Sequence, residues 1–283
     1  MNQINLHEKA VLVILNCSFS WGTVTDRRMT DETVSEAGAT RGSIRVRKTL
    51  LPADSGKHVK AVQSALSEFY QYHVGKTYGT SIMGQRIMPS AFAMDYMQKF
   101  GEARKRGLDA LQDLKNTYPV AIEQAKKLLG SAFNSDDYPP VDEIDRYFVF
   151  ERKFLPVPSG DKIMGALGEA ASCEVDAFVQ DMLKTAASDA RKRLHDAVER
   201  MATRLTTKDA KIYDTMPQAI NDLAVELPVI AGITDDKELA DLVAEVKHTL
   251  SGYSGEDFRK SESLKRGVGK AASDILKKLG SLG

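Results

Sequence analysis

Hydrophobic positions change their period several times along the chain, and each change marks an element. From Ala10 to Val24 the residues are first apolar and β-branched and then alternate, with Cys17, Phe19 and Trp21 on one side and Asn16, Ser18 and Ser20 on the other. This predicts a strand with one buried and one wet face. Residues 25–42 are polar, aperiodic and hold two glycines, which predicts a loop or mobile insertion. Ile44, Val46, Thr49 and Leu50 predict a second, more basic strand, ended by Pro52 and antiparallel to the first. A third strand is predicted within 147–160, where Phe148, Phe150 and Phe154 alternate with Val149, Glu151 and Lys153 until Pro156 and Pro158 stop it. If it joins the others, the sheet is antiparallel or mixed and is closed by segments far apart in sequence.

Between and after the strands the period is helical. Val59, Val62, Leu66, Phe69 and His73 form an apolar stripe, with Asp54 or Ser55 as its cap. Residues 75–89, with three glycines and a closing proline, read as a loop, and Ser90 caps the next helix, whose inward side is Met97, Phe100, Leu108 and Leu111. Thr117 and Pro119 predict a fresh helix start, with Ile122, Ala125, Leu129 and Phe133 on its apolar side, broken by the SDDYPP stretch at 135–140. From about 165 to 205 one long helix is expected, carried by Val175, Phe178, Met182, Ala186, Leu194, Ala197, Met201 and Leu205. Its acids (Glu169, Glu174, Asp176) come early and its bases (Arg191 to Arg193, Arg200, Arg204) late, complementing the helix dipole. Helices follow at roughly 207–226, 235–250 and 255–279, separated by Pro228, Gly232 and SGYSG at 251–255, and the Gly280 to Gly283 end is expected to fray. The pattern predicts a mainly helical α+β protein, with an α+β domain over 1–160 and a helical bundle or hairpin over 161–283.

With 283 residues and 42% apolar content the chain has enough apolar surface for a substantial core. Its 39 basic and 39 acidic side chains cancel, so any electrostatic preference is local. Cys17 and Cys173 have no CxxC spacing, which points to reduced thiols and a reducing compartment. The apolar run from Ala10 to Leu15 is too short for a signal peptide core, and no stretch approaches the ~20 apolar residues of a membrane span. A cytoplasmic, unprocessed protein is expected.

Candidate chemistry fails at named positions. Gly75, Lys76 and Thr77 have Tyr70 where a phosphate loop needs glycine, and Gly269 and Lys270 have Leu264 and Ala271 at the required places. Gly267 and Gly269 lack the third glycine and preceding strand of a dinucleotide fingerprint. No two of His7, His58, His73, His195 and His248 stand at i, i+4, and Asp142, Glu143 and Asp145 read as a capped turn. Cys173 lies beside Glu169 and Glu174, which disfavour a thiolate. No catalytic residue, cofactor or metal is assigned, and the expectation is a protein that is not an enzyme.

Charge distribution says more. Residues 41–48 carry Arg41, Arg45, Arg47 and Lys48 with no acid, either a ribbon contacting nucleic-acid phosphates or, more ordinarily, a charged edge that blocks strand addition. Residues 209–246 hold nine acidic and two basic side chains, whereas 259–283 hold seven basic and two acidic. The last helix therefore docks on its acidic neighbour, or presents Lys265, Arg266 and Lys270 to a membrane, DNA or a partner protein.

The stretches LVILNCSFSWGTVTDRR, RVRKTLLP and FVFERKFLPVPSG, with the Trp21–Gly22 pair, resemble an uncharacterised family of tailed-phage and prophage proteins. Its members are often encoded near a MoxR-like AAA+ ATPase and a von Willebrand A-domain protein. The resemblance covers about the first 160 residues and brings no catalytic residues with it. It implies a phage protein made in the infected bacterial cytoplasm and working with the ATPase. Combined with the helical pattern, the expectation is a non-enzymatic adaptor or assembly protein with protein partners, the long helix covered in a hairpin or a homo-oligomer. The alternative is a nucleic-acid binder using Arg41, Arg45, Arg47, Lys48, Lys265, Arg266 and Lys270.

Overall fold

The computed structural model describes residues 6–51 and 56–280, and among them the protein is mainly helical α+β. After a short turn of helix, α1 (Leu6–Lys9), the apolar run forms β1 (Ala10–Phe19). As the alternation predicts, Phe19 and Trp21 are buried while Asn16, Ser18 and Ser20 are exposed. The expected single strand to Val24 is broken at Gly22, whose φ of 108° only glycine adopts without strain. A separate β2 (Thr23–Thr25) follows, and it is β2 that pairs with β3 (Arg47–Thr49), antiparallel, with Thr23 opposite Thr49.

Between them, residues expected as a loop contain α2 (Arg27–Glu36). Asp26 caps it by accepting from the Met29 amide at 3.0 Å, and no α2 residue is buried. Without an inward face there is no apolar period to read. The next helix is α3 (Gly56–Lys76), with Val59, Val62, Leu66, Phe69 and His73 buried as predicted. Pro52 and the caps expected at Asp54 or Ser55 lie outside the described residues, as do residues 281–283 of the end expected to fray.

The glycine-rich stretch expected as a loop is a hairpin of β4 (Tyr78–Gly79) and β5 (Gln85–Pro89), with Gly84 turning at φ 79°. β5 pairs antiparallel with β1 from Ala10 opposite Pro89 to Ile14 opposite Gln85. The four-stranded sheet has the order β4-β5-β1-β6, where β6 (Phe148–Pro156) is the predicted third strand. The helix after β5, α4 (Ala93–Leu129), runs through Pro119 rather than restarting there. One amide donor is lost, but Leu114, Tyr118, Ala121 and Ala125 continue a single buried stripe across it. Of the inward side predicted for α4, Phe100 and Leu111 are buried, whereas Met97 and Leu108 are more than a third exposed.

Five helices carry most of the second half. α5 (Gly160–Thr206) is interrupted at Gly168 (φ 86°, ψ 176°), and α6 (Thr215–Thr234) continues through Pro228 and Gly232. α7 (Lys237–Thr249), α8 (Gly255–Lys260) and α9 (Glu262–Gly280) complete the chain. None of the helices among the described residues is long and apolar enough to cross a membrane.

Contacts group the described residues into two compact units, drawn differently from a cut at 160. Within the described residues one comprises 6–14, 76–93 and 154–280, the other 15–51, 56–75 and 94–153. In the second unit Phe69 meets Tyr96, Phe100 and Phe150, each at 5.4 Å between ring centres. In the first, Met182, Ala186, Ala190, Leu194, Val198 and Met201 of α5 are fully buried against Ile220, Leu227 and Ile230 of α6 and the Val268, Ala272, Ile275 face of α9. Gly269 permits the close approach of α9, since a Cβ there would stand 3.1 Å from Leu205 Cβ. That is the structural use of a glycine whose sequence context had suggested, and failed, a nucleotide motif. The hairpin is fastened to α5 by Asp189, which accepts from the Gly79 amide at 2.7 Å and pairs with Arg193 at 2.8 Å and Arg86 at 3.2 Å.

Candidate anion-binding pocket

The end of α5 places Arg200 and Arg204 one turn apart on one face of the helix. The chain then leaves the helix at Thr207, whose amide still bonds to the Thr203 carbonyl at 3.0 Å, and turns through Asp209 at φ 58°. It re-enters a helix at Thr215, and the intervening segment brings Lys211 and Tyr213 alongside the two arginines. Together Arg200, Arg204, Lys211, Tyr213 and Thr215 line a cavity of about 360 Å³ whose apolar floor is Ala197, Met216 and Ala219.

The segment is held from behind. Arg259 of α8 donates to the Ile212 carbonyl and to Asp214 Oδ1, both at 3.0 Å. Gly255 makes room for this clamp, because a Cβ there would lie 2.1 Å from Asp214 Oδ1. Asp214, although it precedes α6, makes no side-chain cap, and the first turn of α6 has no acid. Three further carboxylates lie close in sequence and outside the lining: Asp196, which faces His195 Nδ1 at 3.6 Å, Glu199 and Asp209. Among the described residues no ion pair involves Arg200, Arg204 or Lys211, and the cavity lining holds no acid. Three like charges gathered round one cavity, with the Thr215 hydroxyl as a further donor, make a concentrated field that an anion relieves.

Other cavities differ in this respect. A cleft of about 570 Å³ is lined by Lys184, Ser188, Arg191, Lys192 and His195, but Asp236 shares it and binds Arg191 through both oxygens at 3.0 and 2.8 Å. Burial pushes the Asp236 carboxyl up, but the hydrogen bonds and charge of Arg191 outweigh this and hold it below its ordinary value. On one turn of α5, His195, Asp196 and Glu199 bring one donor atom each within 4.8 Å of one another. They are the grouping of the described residues nearest to a metal centre, partly or wholly exposed and flanked in sequence by Lys192 and Arg200.

The basic residues singled out in the sequence are distributed otherwise. Lys48 is nearly buried, pairing with Asp137 at 2.8 Å and Asp26 at 3.7 Å and donating to the Ala132 carbonyl at 2.7 Å, so its charge is used within the fold. Arg47 donates to Thr23 Oγ1 at 2.6 Å, Arg41 lies 3.6 Å from Asp31, and Arg45, exposed, precedes β3. On α9, Lys265 and Arg266 both approach Glu262, at 3.9 and 3.6 Å, while Lys270 is exposed. These two groups belong to different units. In the sequence Arg200 and Arg204 read only as complements to the helix dipole. Lys211 and Tyr213 fell inside a predicted helix, so nothing in their spacing indicated a pocket.

Comparison with protein-family models, with curated proteins and with solved structures finds no match for this chain.

Proposed function

We propose that this protein acts by binding and that the unit holding α5 and α6 captures a phosphate-bearing anionic partner in the pocket between the end of α5 and the start of α6. The observation that carries this reading is the set of three cations that, among the described residues, enter no ion pair, Arg200, Arg204 and Lys211, on one cavity whose lining holds no acid. Guanidinium groups suit phosphate because their planar fork donates two parallel hydrogen bonds, and Lys211 and Thr215 add donors from the same lining. The expectation of a non-enzymatic interaction protein is retained, but the residues supporting an anionic partner are these rather than the strand arginines.

Calorimetric titration with pyrophosphate tests it. The wild-type protein is expected to bind at low salt, and the double substitution Arg200→Glu with Arg204→Glu to weaken binding by at least about tenfold, a tenfold change being 1.4 kcal/mol. Both side chains are exposed, so the fold should tolerate the change. Equal binding by the two proteins, or none by the wild type, defeats the proposal.

A further inference from the structure

The pocket has a second feature that phosphate alone does not use. Tyr213 stands on its rim with 58% of its surface exposed, an aromatic ring in water beside three unpaired cations. We infer that the occupant is a single-stranded nucleic acid, its backbone phosphate on Arg200, Arg204 and Lys211 and an adjacent unstacked base on the Tyr213 ring. The inference rests on the phosphate reading above and extends it to the class of partner.

Three arguments favour this class. A single strand offers phosphate charge and bare aromatic faces in neighbouring positions, the pair of features found here, and sequence-tolerant binding of such strands is built from cationic grooves with stacking side chains. A duplex keeps its bases stacked inside and would leave Tyr213 uncovered. The cavity, about 360 Å³, lies at the small end of the ~300–1,000 Å³ range of ligand pockets, suited to one nucleotide unit at a time. Its lining cations are all exposed, so a longer chain can lie across it without the pocket opening.

The experiment is fluorescence anisotropy with a labelled single-stranded oligothymidylate and oligouridylate, a DNA duplex of the same length and a phosphoserine peptide, with pyrophosphate binding measured in parallel. The proteins are wild type, Tyr213→Phe, Tyr213→Ala and the Arg200→Glu, Arg204→Glu pair. Single strands are expected to bind at least about tenfold more tightly than the duplex or the peptide. Tyr213→Phe keeps the stacking face and should stay within about twofold of wild type. Tyr213→Ala should lose about 5- to 150-fold, the span of one base stack, with pyrophosphate affinity unchanged. Wild-type affinity in Tyr213→Ala, or duplex or phosphopeptide bound as tightly as single strand, overturns the inference. If pyrophosphate binds and the oligonucleotides do not, this inference falls and the phosphate reading stands; if neither binds, both fall.

Discussion

Asp189 shows how one side chain can join two elements. Its carboxylate takes the Gly79 amide of the hairpin and two arginines, one from β5 and one from its own helix, while Arg193 also lies 4.5 Å above the Tyr78 ring. Burial drives the Asp189 carboxyl up, but the hydrogen bonds from Arg193 and Gly79 and the charges of Arg193 and Arg86 win and hold it below the ordinary aspartate range. A carboxyl depressed on folding stabilises the native state fully above its unfolded pKa, near ~3.9, and loses that contribution as pH falls through the folded value. Asp189→Asn should therefore cost about 1–3 kcal/mol at pH 7, the worth of charge-assisted hydrogen bonds at a site only 27% exposed. The gap from wild type in urea unfolding should close below about pH 4. A gap that stays constant from pH 7 to 3 would show that the ionised form contributes nothing.

At the scale of elements, what the sequence revealed follows from burial. Helical character was legible because each long helix keeps one buried stripe, but the breaks expected at Pro119, Pro228 and Gly232 do not occur, because the stripe does not stop there. α2 has no buried residue, and β4 and β5 are too short, two and five residues, to display an alternation among glycines. Those elements are fixed by partners distant in sequence, such as the Thr30 hydroxyl that accepts from the Val46 amide at 3.0 Å. The docking of α9 weighs burial against charge. Ile275, 2% exposed, belongs to the core shared with α5, whereas Lys278 meets Glu245 of α7 with both side chains more than a third exposed. Ile275→Ala is expected to cost about 2–5 kcal/mol, because it removes buried methyl groups and leaves a cavity. Lys278→Ala should cost no more than about 1 kcal/mol, because water screens an exposed pair. Chemical denaturation of the two variants orders the effects; the reverse order would mean that opposite charges, rather than the apolar face, hold the last helix.

For the whole molecule the balance of 39 basic and 39 acidic side chains matters most. With no net charge there is little long-range steering, so recognition of an anion depends on local arrangement. The arrangement proposed here arises from the return of the chain between α5 and α6, which is why the arginines were visible in the sequence but their convergence with Lys211 and Tyr213 was not. Salt dependence then counts the cations in use. A single strand neutralised by three side chains should give a slope of log K against log salt of about −2, and lose about twentyfold in affinity between 50 and 200 mM salt. Replacing Arg200 and Arg204 by alanine leaves Lys211 alone, and the slope should fall to about −0.7, a loss of about threefold over the same range. Anisotropy titrations at four or five salt concentrations measure both. A wild-type slope steeper than about −4 would require more cations than the pocket holds and would bring Arg41, Arg45, Arg47 or the α9 lysines back as contacts. A slope unchanged by the double substitution would remove the pocket from the interaction altogether.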